Sequence, residues 1–249
     1  MIILKNRDEI EKMKKSGAII KKLFEEIDAH SIIKVGVTTK NIDLFIGNFI
    51  RNNSAIPSFL DYRGFPANSC ISINDTVVHG IPNDYVLKDA DIVSVDVGVY
   101  ADGYHADAAR TYMLNVDDKK IKEFVDTARE SFFEALKVCK VDKRIGDLSN
   151  SVQRFVEERG FSVVSDFYGH GIGRELHEDP IIPNCGKPNR GPRIKHGMTL
   201  AIEPMISMGS PFVQIMDDGW TAKTIDGSLA AHYENTVAIT TDGPILLTL

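Results

Sequence analysis

Apolar side chains recur three and four residues apart over residues 7 to 29, at Ile10, Met13, Gly17, Ile20, Phe24 and Ile27, the period of a helix with one buried face. Asn6 and Glu9 are spaced as a capping pair at its start. A second helix is predicted from Thr38 or Thr39 to about Asn53, with Ile42, Phe45, Ile46, Phe49 and Ile50 inward. Extended chain punctuated by proline and glycine follows as far as Thr111. Asp117 opens a third helix carrying Ile121, Val125, Ala128, Phe132 and Leu136. A fourth runs from about Gly146 to Arg159, with Gly160 placed as the residue just past its end.

The order helix, helix, strands thus occurs twice. The second helix of each pair can be laid on the other at an offset of 106, so that Ile42, Ile46, Phe49 and Ile50 fall on Leu148, Val152, Phe155 and Val156, and Lys34-Val35 on Lys140-Val141. Identities are few, and two amphipathic helices also align by chance. Because both halves deliver strands after a helix pair, the pattern predicts a pseudo-twofold α+β fold with helices on one side of a continuous antiparallel sheet. No low-complexity linker divides the chain, so residues 1–249 are read as one domain with halves of about 1–112 and 113–249.

Val93, Val95, Val97 and Val99 alternate with polar or small residues, the period of a half-buried strand. Asp102-Gly103 then reads as a type I′ hairpin turn, since both residues tolerate a positive φ. With those two as the loop, positions whose numbers sum to 205 face each other, which puts Asp107 opposite Gly98 and diagonal to Asp96 on one face. A three-residue loop would put the acids on opposite faces. Carboxylates this close repel, and a shared cation resolves the conflict. For either acid alone, solvation at a sheet edge is the plainer reading.

The second half adds three positions. His170 sits in Tyr168-Gly-His-Gly-Ile-Gly173, where the glycines are expected to let the backbone turn around the imidazole. Neither GxGxxG nor GxxxxGK[ST] is present, so a nucleotide site has little support. Glu203 and Glu234 each interrupt mostly apolar runs, where an unpaired carboxylate is costly. Alone, either reads equally well as a satisfied structural acid. Taken together, Asp96, Asp107, His170, Glu203 and Glu234 suit two divalent cations such as manganese, iron, cobalt or zinc, bridged by two of the carboxylates.

Composition narrows the classes further. A 249-residue chain with ordinary apolar content and a net charge of −6 describes a globular protein and argues against a general nucleic-acid surface. Lys12, Lys14, Lys15, Lys21 and Lys22 crowd the first helix, which a solvated face explains as well as an anionic partner does. Cys70, Cys139 and Cys185 are odd in number and far apart, which excludes a full disulfide framework and a thiolate zinc finger and implies a reducing compartment. The apolar run at the start is too short for a signal sequence and no stretch is long enough to span a membrane, so a cytoplasmic protein is expected.

Along nearly its whole length the sequence resembles the type I methionine aminopeptidases, enzymes of the pita-bread fold. The likeness is carried by Asn68-Ser-Cys-Ile-Ser-Ile-Asn-Asp-Thr-Val-Val-His-Gly-Ile-Pro82, by the hairpin from Asp96 to Asp107, and by Gly169-His-Gly-Ile-Gly-Arg-Glu-Leu-His-Glu-Asp-Pro180. Met198-Thr-Leu-Ala-Ile-Glu-Pro204, Trp220 and Tyr233-Glu234 complete it. The resemblance implies removal of the N-terminal methionine from nascent polypeptides with a small second residue, by a water activated between two metal ions. It makes Asp96 a ligand of one metal, Asp107 and Glu234 the bridges, and His170 and Glu203 ligands of the other, with Glu203 also relaying the proton. His79 and His177 match the family's substrate-contacting histidines, although without the motif each reads as a structural histidine.

The resemblance also implies a methionine slot formed by Phe59, Tyr62, Phe65, Cys70, Leu176 and Trp220. By composition alone such residues are more often plain core. Phe59 stands where bacterial members commonly have cysteine, Phe65 where they have tyrosine and Leu176 where they have phenylalanine, so a slot of similar volume and altered shape is expected. Type II members carry a long insertion between the histidine and the first glutamate, whereas 32 residues separate His170 from Glu203 here. A compact, monomeric, bacterial-type enzyme is the expectation, with no membrane or specific nucleic-acid partner. Transient docking on the ribosome through the lysine-rich helix is a further one. An Xaa-Pro aminopeptidase and a non-catalytic pita-bread binding module are the alternatives.

Overall fold

The computed structural model describes residues 1–249. Four helices form where the apolar period places them: α1 (Arg7–Ala29), α2 (Thr39–Asn52), α3 (Lys119–Val138) and α4 (Ile145–Glu157). Asn6 and Glu9 close the expected capping box, each side chain accepting from the other's backbone N–H at 3.0 Å. Thr38 caps α2 by accepting from Asn41. Two boundaries differ from expectation. Asp118 rather than Asp117 caps α3, because its carboxylate reaches the free N–H of Lys120 at 2.7 Å. α4 ends at Glu157, and Gly160, at φ +78°, lies in the turn beyond it instead of directly after it. Phe124, three residues after Ile121 and four before Ala128, is fully buried on α3 and joins that apolar face.

Each helix pair covers its own sheet. Ile20, Leu23, Ile42, Ile46 and Ile50 pack with Val93, Val95, Val97 and Val99 in the first half. Phe124, Phe132, Leu148, Val152 and Val156 pack with Leu200, Ile202, Val237 and Ile239 in the second. Each such side chain contributes about 1.5–3 kcal/mol when fully withdrawn from water. The internal repeat is visible in detail, since α2 and α4 start at the expected offset and the residue before each, Thr38 or Arg144, makes an isolated bridge, to Val86 and Arg193 respectively. No helix is long and apolar enough to cross a membrane.

The hairpin strands Ile92–Ala101 and Tyr104–Met113 pair antiparallel, with Asp102 and Gly103 at φ 51° and 84° in the predicted two-residue turn. Cys70–Ile73 and Ile56–Pro57 line the other edge of the first strand. The second half builds five antiparallel strands in the order Gly243–Leu246, Asn235–Thr240, Thr199–Ile202, Tyr168–Gly171 and Glu178–Pro183. These do not run on from the first sheet as one ladder. At the seam Ala109 and Glu234 exchange two backbone hydrogen bonds, of 3.3 and 3.1 Å, while the Thr236 hydroxyl both accepts from Asp107 N–H and donates to Asp107 C=O. A side chain thus replaces a ladder pair where the halves meet.

Two three-stranded sheets flank the seam. One has the order Ala230–His232, Met205–Ser207, Ser162–Val163, and the other Val213–Ile215, Ala222–Thr224, Thr76–Val78. The chain passes between the five-stranded sheet and the first of these over residues 203–204 and again over 233–234. Asn235 pairs with Ile202 on one side of these breaks and His232 with Met205 on the other, so Glu203 and Glu234 face each other across them.

Candidate metal centre and substrate pocket

The hairpin register places Gly98 against Asp107 and Asp96 against Ala109, as the two-residue turn requires. Gly98 leaves room for neighbours rather than for the acids, since a Cβ there would come within 2.7 Å of the Phe59 ring and 2.8 Å of Ser58. The glycines beside His170 also act differently from expectation. They do not turn the chain but sit in a strand packed closely on both sides, where a Cβ at Gly171 would meet Asp179 O at 2.1 Å and one at Gly169 would meet Ala201 O at 2.4 Å.

His170 is buried, and its Nδ1 donates to Gly171 O at 2.9 Å. Burial holds its pKa down at about 4, so the ring is neutral and its Nε2 presents a lone pair. That nitrogen lies 3.6 Å from Glu203 Oε1. Glu234 is 1% exposed, with its backbone held by Ala109 and by the Arg110 guanidinium at 2.6 Å.

Four carboxyl groups share this small volume, and the Arg110 guanidinium, which lowers the pKa of Glu234, is outweighed there by burial and by the other acids. Burial, and after it the neighbouring acidic charges with Asp107 foremost, holds Asp96, Glu203 and Glu234 well above the usual carboxylate range. Burial raises Asp107 to about 7. Asp96 Oδ1, Asp107 Oδ1 and Glu234 Oε1 are buried and accept no hydrogen bond. Orphaned buried acceptors are rare because each forfeits its hydration. Oxygen donors with one imidazole nitrogen are a donor set for a hard or borderline divalent cation, so the residues present fit such an ion. Their ligand atoms form two groups, Asp107 with His170 and Glu234, and Glu203 with His232 and Glu234, each within 4.8 Å. Glu234 belongs to both; Asp96 stands beside them outside either group.

All thirteen residues singled out in the sequence line one cavity: Asp96, Asp107, His170, Glu203 and Glu234 at its floor, with His79, His177, Phe59, Tyr62, Phe65, Cys70, Leu176 and Trp220. The Tyr62 hydroxyl and His177 Nδ1 are 2.8 Å apart, and the His170 and His177 rings lie 4.2 Å centre to centre. Trp220 meets the edge of Phe65 at 5.2 Å and of His79 at 6.3 Å. Burial depresses the pKa of His79 and carries that of His177 down to about 3. Cys70 pairs with Asp96 in the sheet register, and burial followed by that charge drives its thiol far upward, so it acts as an apolar wall rather than a nucleophile. Leu176 and Phe65 are buried, which gives the slot an apolar lining beside the histidines.

Two residues escape the sequence reading. Arg63 lines the same cavity from a loop, at φ 52°, and no periodic signal marks it. His232 lies two residues before Glu234 at the end of the strand Ala230–His232, and no strand period carries across the break between them.

The chain matches the model of metallopeptidase family M24 over residues 11–241, and it belongs to that family. It is 50% identical to a methionine aminopeptidase of Clostridium perfringens strain 13 over 249 residues, 100% of this chain and 99% of that one. The crystal structure of methionine aminopeptidase from Thermotoga maritima matches it with a TM-score of 0.97 at 44% identity, covering 100% of this chain and 99% of that chain. Prolidase from Pyrococcus furiosus has a TM-score of 0.80 at 24% identity, with 99% of this chain and 65% of the prolidase covered, a likeness of fold alone. The pita-bread fold and the resemblance to the methionine aminopeptidases are thus borne out, and the family uses divalent metal.

Proposed function

We propose that the chain, acting as a single catalytic unit over residues 1–249, removes the N-terminal methionine from polypeptides whose second residue is small. The observation that carries this reading is the meeting of unpartnered carboxylate oxygens, the free Nε2 of His170 and an apolar slot in one cavity. Asp96, Asp107, His170, Glu203 and Glu234 would hold two divalent ions, with Asp107 and Glu234 shared between them. Ions bound there supply Lewis acidity and depress the pKa of water toward neutrality.

The remaining steps fall to side chains of this protein. Phe59, Tyr62, Phe65, Cys70, Leu176 and Trp220 take the methionine side chain and exclude water from it. His177, anchored at Nδ1 by Tyr62, turns Nε2 to the scissile carbonyl, and His79 holds the peptide beside it. Glu203, whose carboxylate is raised by burial, accepts a proton from the attacking water and returns it to the leaving amine. Reduced, unpaired cysteines support the reading of a cytoplasmic enzyme that meets nascent chains.

The test is a peptidase assay on metal-stripped protein after addition of manganese, iron or cobalt. Release of methionine from a Met-Ala-Ser peptide is expected. No release with any of the three ions sinks the enzymatic reading and leaves a binding module. Preferential cleavage of Xaa-Pro peptides would favour the proline-specific alternative, whose members share the fold.

A further inference from the structure

We propose that His232 is a sixth residue of the metal centre, a positioning residue whose Nε2–H braces the carboxylates of Glu203 and Glu234 from behind. The inference rests on the metal-dependent reading above. His232 is 2% exposed, and its Nε2 is the one imidazole nitrogen in the molecule that is buried without a hydrogen-bond partner. What it faces is specific: Glu203 Oε2 at 3.7 Å and Glu234 Oε2 at 3.8 Å. Both are acceptors. A ring lone pair aimed at two carboxylates is repulsive, whereas an N–H there gains two charge-assisted contacts, so the tautomer protonated at Nε2 is favoured.

The backbone leaves the ring little freedom. The Thr111 hydroxyl donates to His232 C=O at 2.8 Å and accepts its N–H at 3.1 Å. Met205 pairs with it in the strand register. His232 thus precedes the 233–234 break from a fixed position while the two glutamates lie within it and opposite it. His232 also lines a separate cavity with Arg110, Tyr112 and Tyr233. Donors that hold ligating carboxylates typically carry about 10–100-fold in metal affinity.

Metal-stripped protein titrated with Mn(II) in a calorimeter tests this. His232→Leu, which fills the space without a donor, is expected to weaken Mn(II) binding by about 10–100-fold, and His232→Gln, which keeps an N–H, to stay within about threefold of the parent. His232→Ala serves in the same comparison if the leucine variant does not fold. In the Co(II)-loaded protein the visible absorption bands are expected to be the same for parent and His232→Gln. A donor-free variant that binds Mn(II) as tightly as the parent overturns the proposal. So do cobalt bands that change in His232→Gln, because they would make the ring a direct ligand. Failure of the parent itself to bind Mn(II) counts against the metal-dependent reading and not against the part played by His232.

Discussion

The two halves each bring a pair of acids to the seam, and they do so by different means. In the hairpin half an unbroken antiparallel register sets Asp96 and Asp107 on one face, and a two-residue turn is all that is needed to fix it. In the other half the strands are interrupted, and Glu203 and Glu234 face each other within the two breaks where chain passes from one sheet to another. No ladder holds those acids. Their places depend on Ala109, Arg110 and Asn184, the last donating to Glu203 C=O at 2.9 Å. Register alone can therefore set one pair of acids, while the other pair needs specific neighbours, Ala109 and Arg110 from across the seam and Asn184 from its own half.

The largest expected effect comes from removing charge on either side. Asp107→Asn and Glu234→Gln should each lower kcat/KM by about 10³-fold or more, equivalent to roughly 4 kcal/mol in the barrier, as measured on Met-Ala-Ser with saturating metal. Similar losses for the two would show that neither half can serve alone. Arg110→Met attacks only the neighbours. Its guanidinium bonds Glu234 C=O at 2.6 Å and Asn235 Oδ1 at 2.7 Å, so its loss should cost about 2–4 kcal/mol of folding stability in urea unfolding. Lys15→Ala, which removes only an exposed pair with Asp102 at the hairpin turn, is expected to leave stability nearly unchanged, since an exposed ion pair contributes little.

The pH dependence sharpens it further. In metal-free protein Asp107 has its pKa raised to about 7 in the folded state, so the folded chain binds the extra proton between roughly pH 3.9, the unfolded value, and pH 7. Its contribution is complete below that window and is lost as pH rises through it. Relative to Asp107→Asn, the chelated parent should lose melting temperature from pH 4 to pH 7, and Mn(II) should reverse the trend. Comparison with the variant is needed because His170, depressed to about 4, contributes in the opposite direction over pH 4 to 6.5. Among the effects on activity, the smallest is expected for Tyr62→Phe, which frees His177 Nδ1 and should lower kcat by about tenfold with bound metal unchanged.

The same contrast explains what can be read from the chain. The helices, the repeat and the hairpin register follow from local period and turn chemistry, so the sequence by itself sets Asp96 and Asp107 on one face. Glu203 and Glu234 lie where strand period stops, and their assignment rests on motif resemblance. Local pattern points to a continuous sheet because nothing in it announces that the Thr236 side chain will take the place of a backbone pair. The glycines around His170 mislead for a related reason, since the carbonyls of Asp179 and Ala201 that demand them come from other strands. Even Phe59, one of the departures from the common bacterial pattern, is explained by a distant partner, the absent side chain at Gly98 that makes room for its ring.

In the proposed site, cations are shared between the halves through Asp107 and Glu234. Metal analysis of dialysed protein, reconstituted with Mn(II), addresses that sharing most directly. The parent is expected to retain two equivalents per chain, and Asp107→Asn and Glu234→Gln distinctly fewer, despite lying on opposite sides of the seam. Two full equivalents in either variant would contradict the sharing.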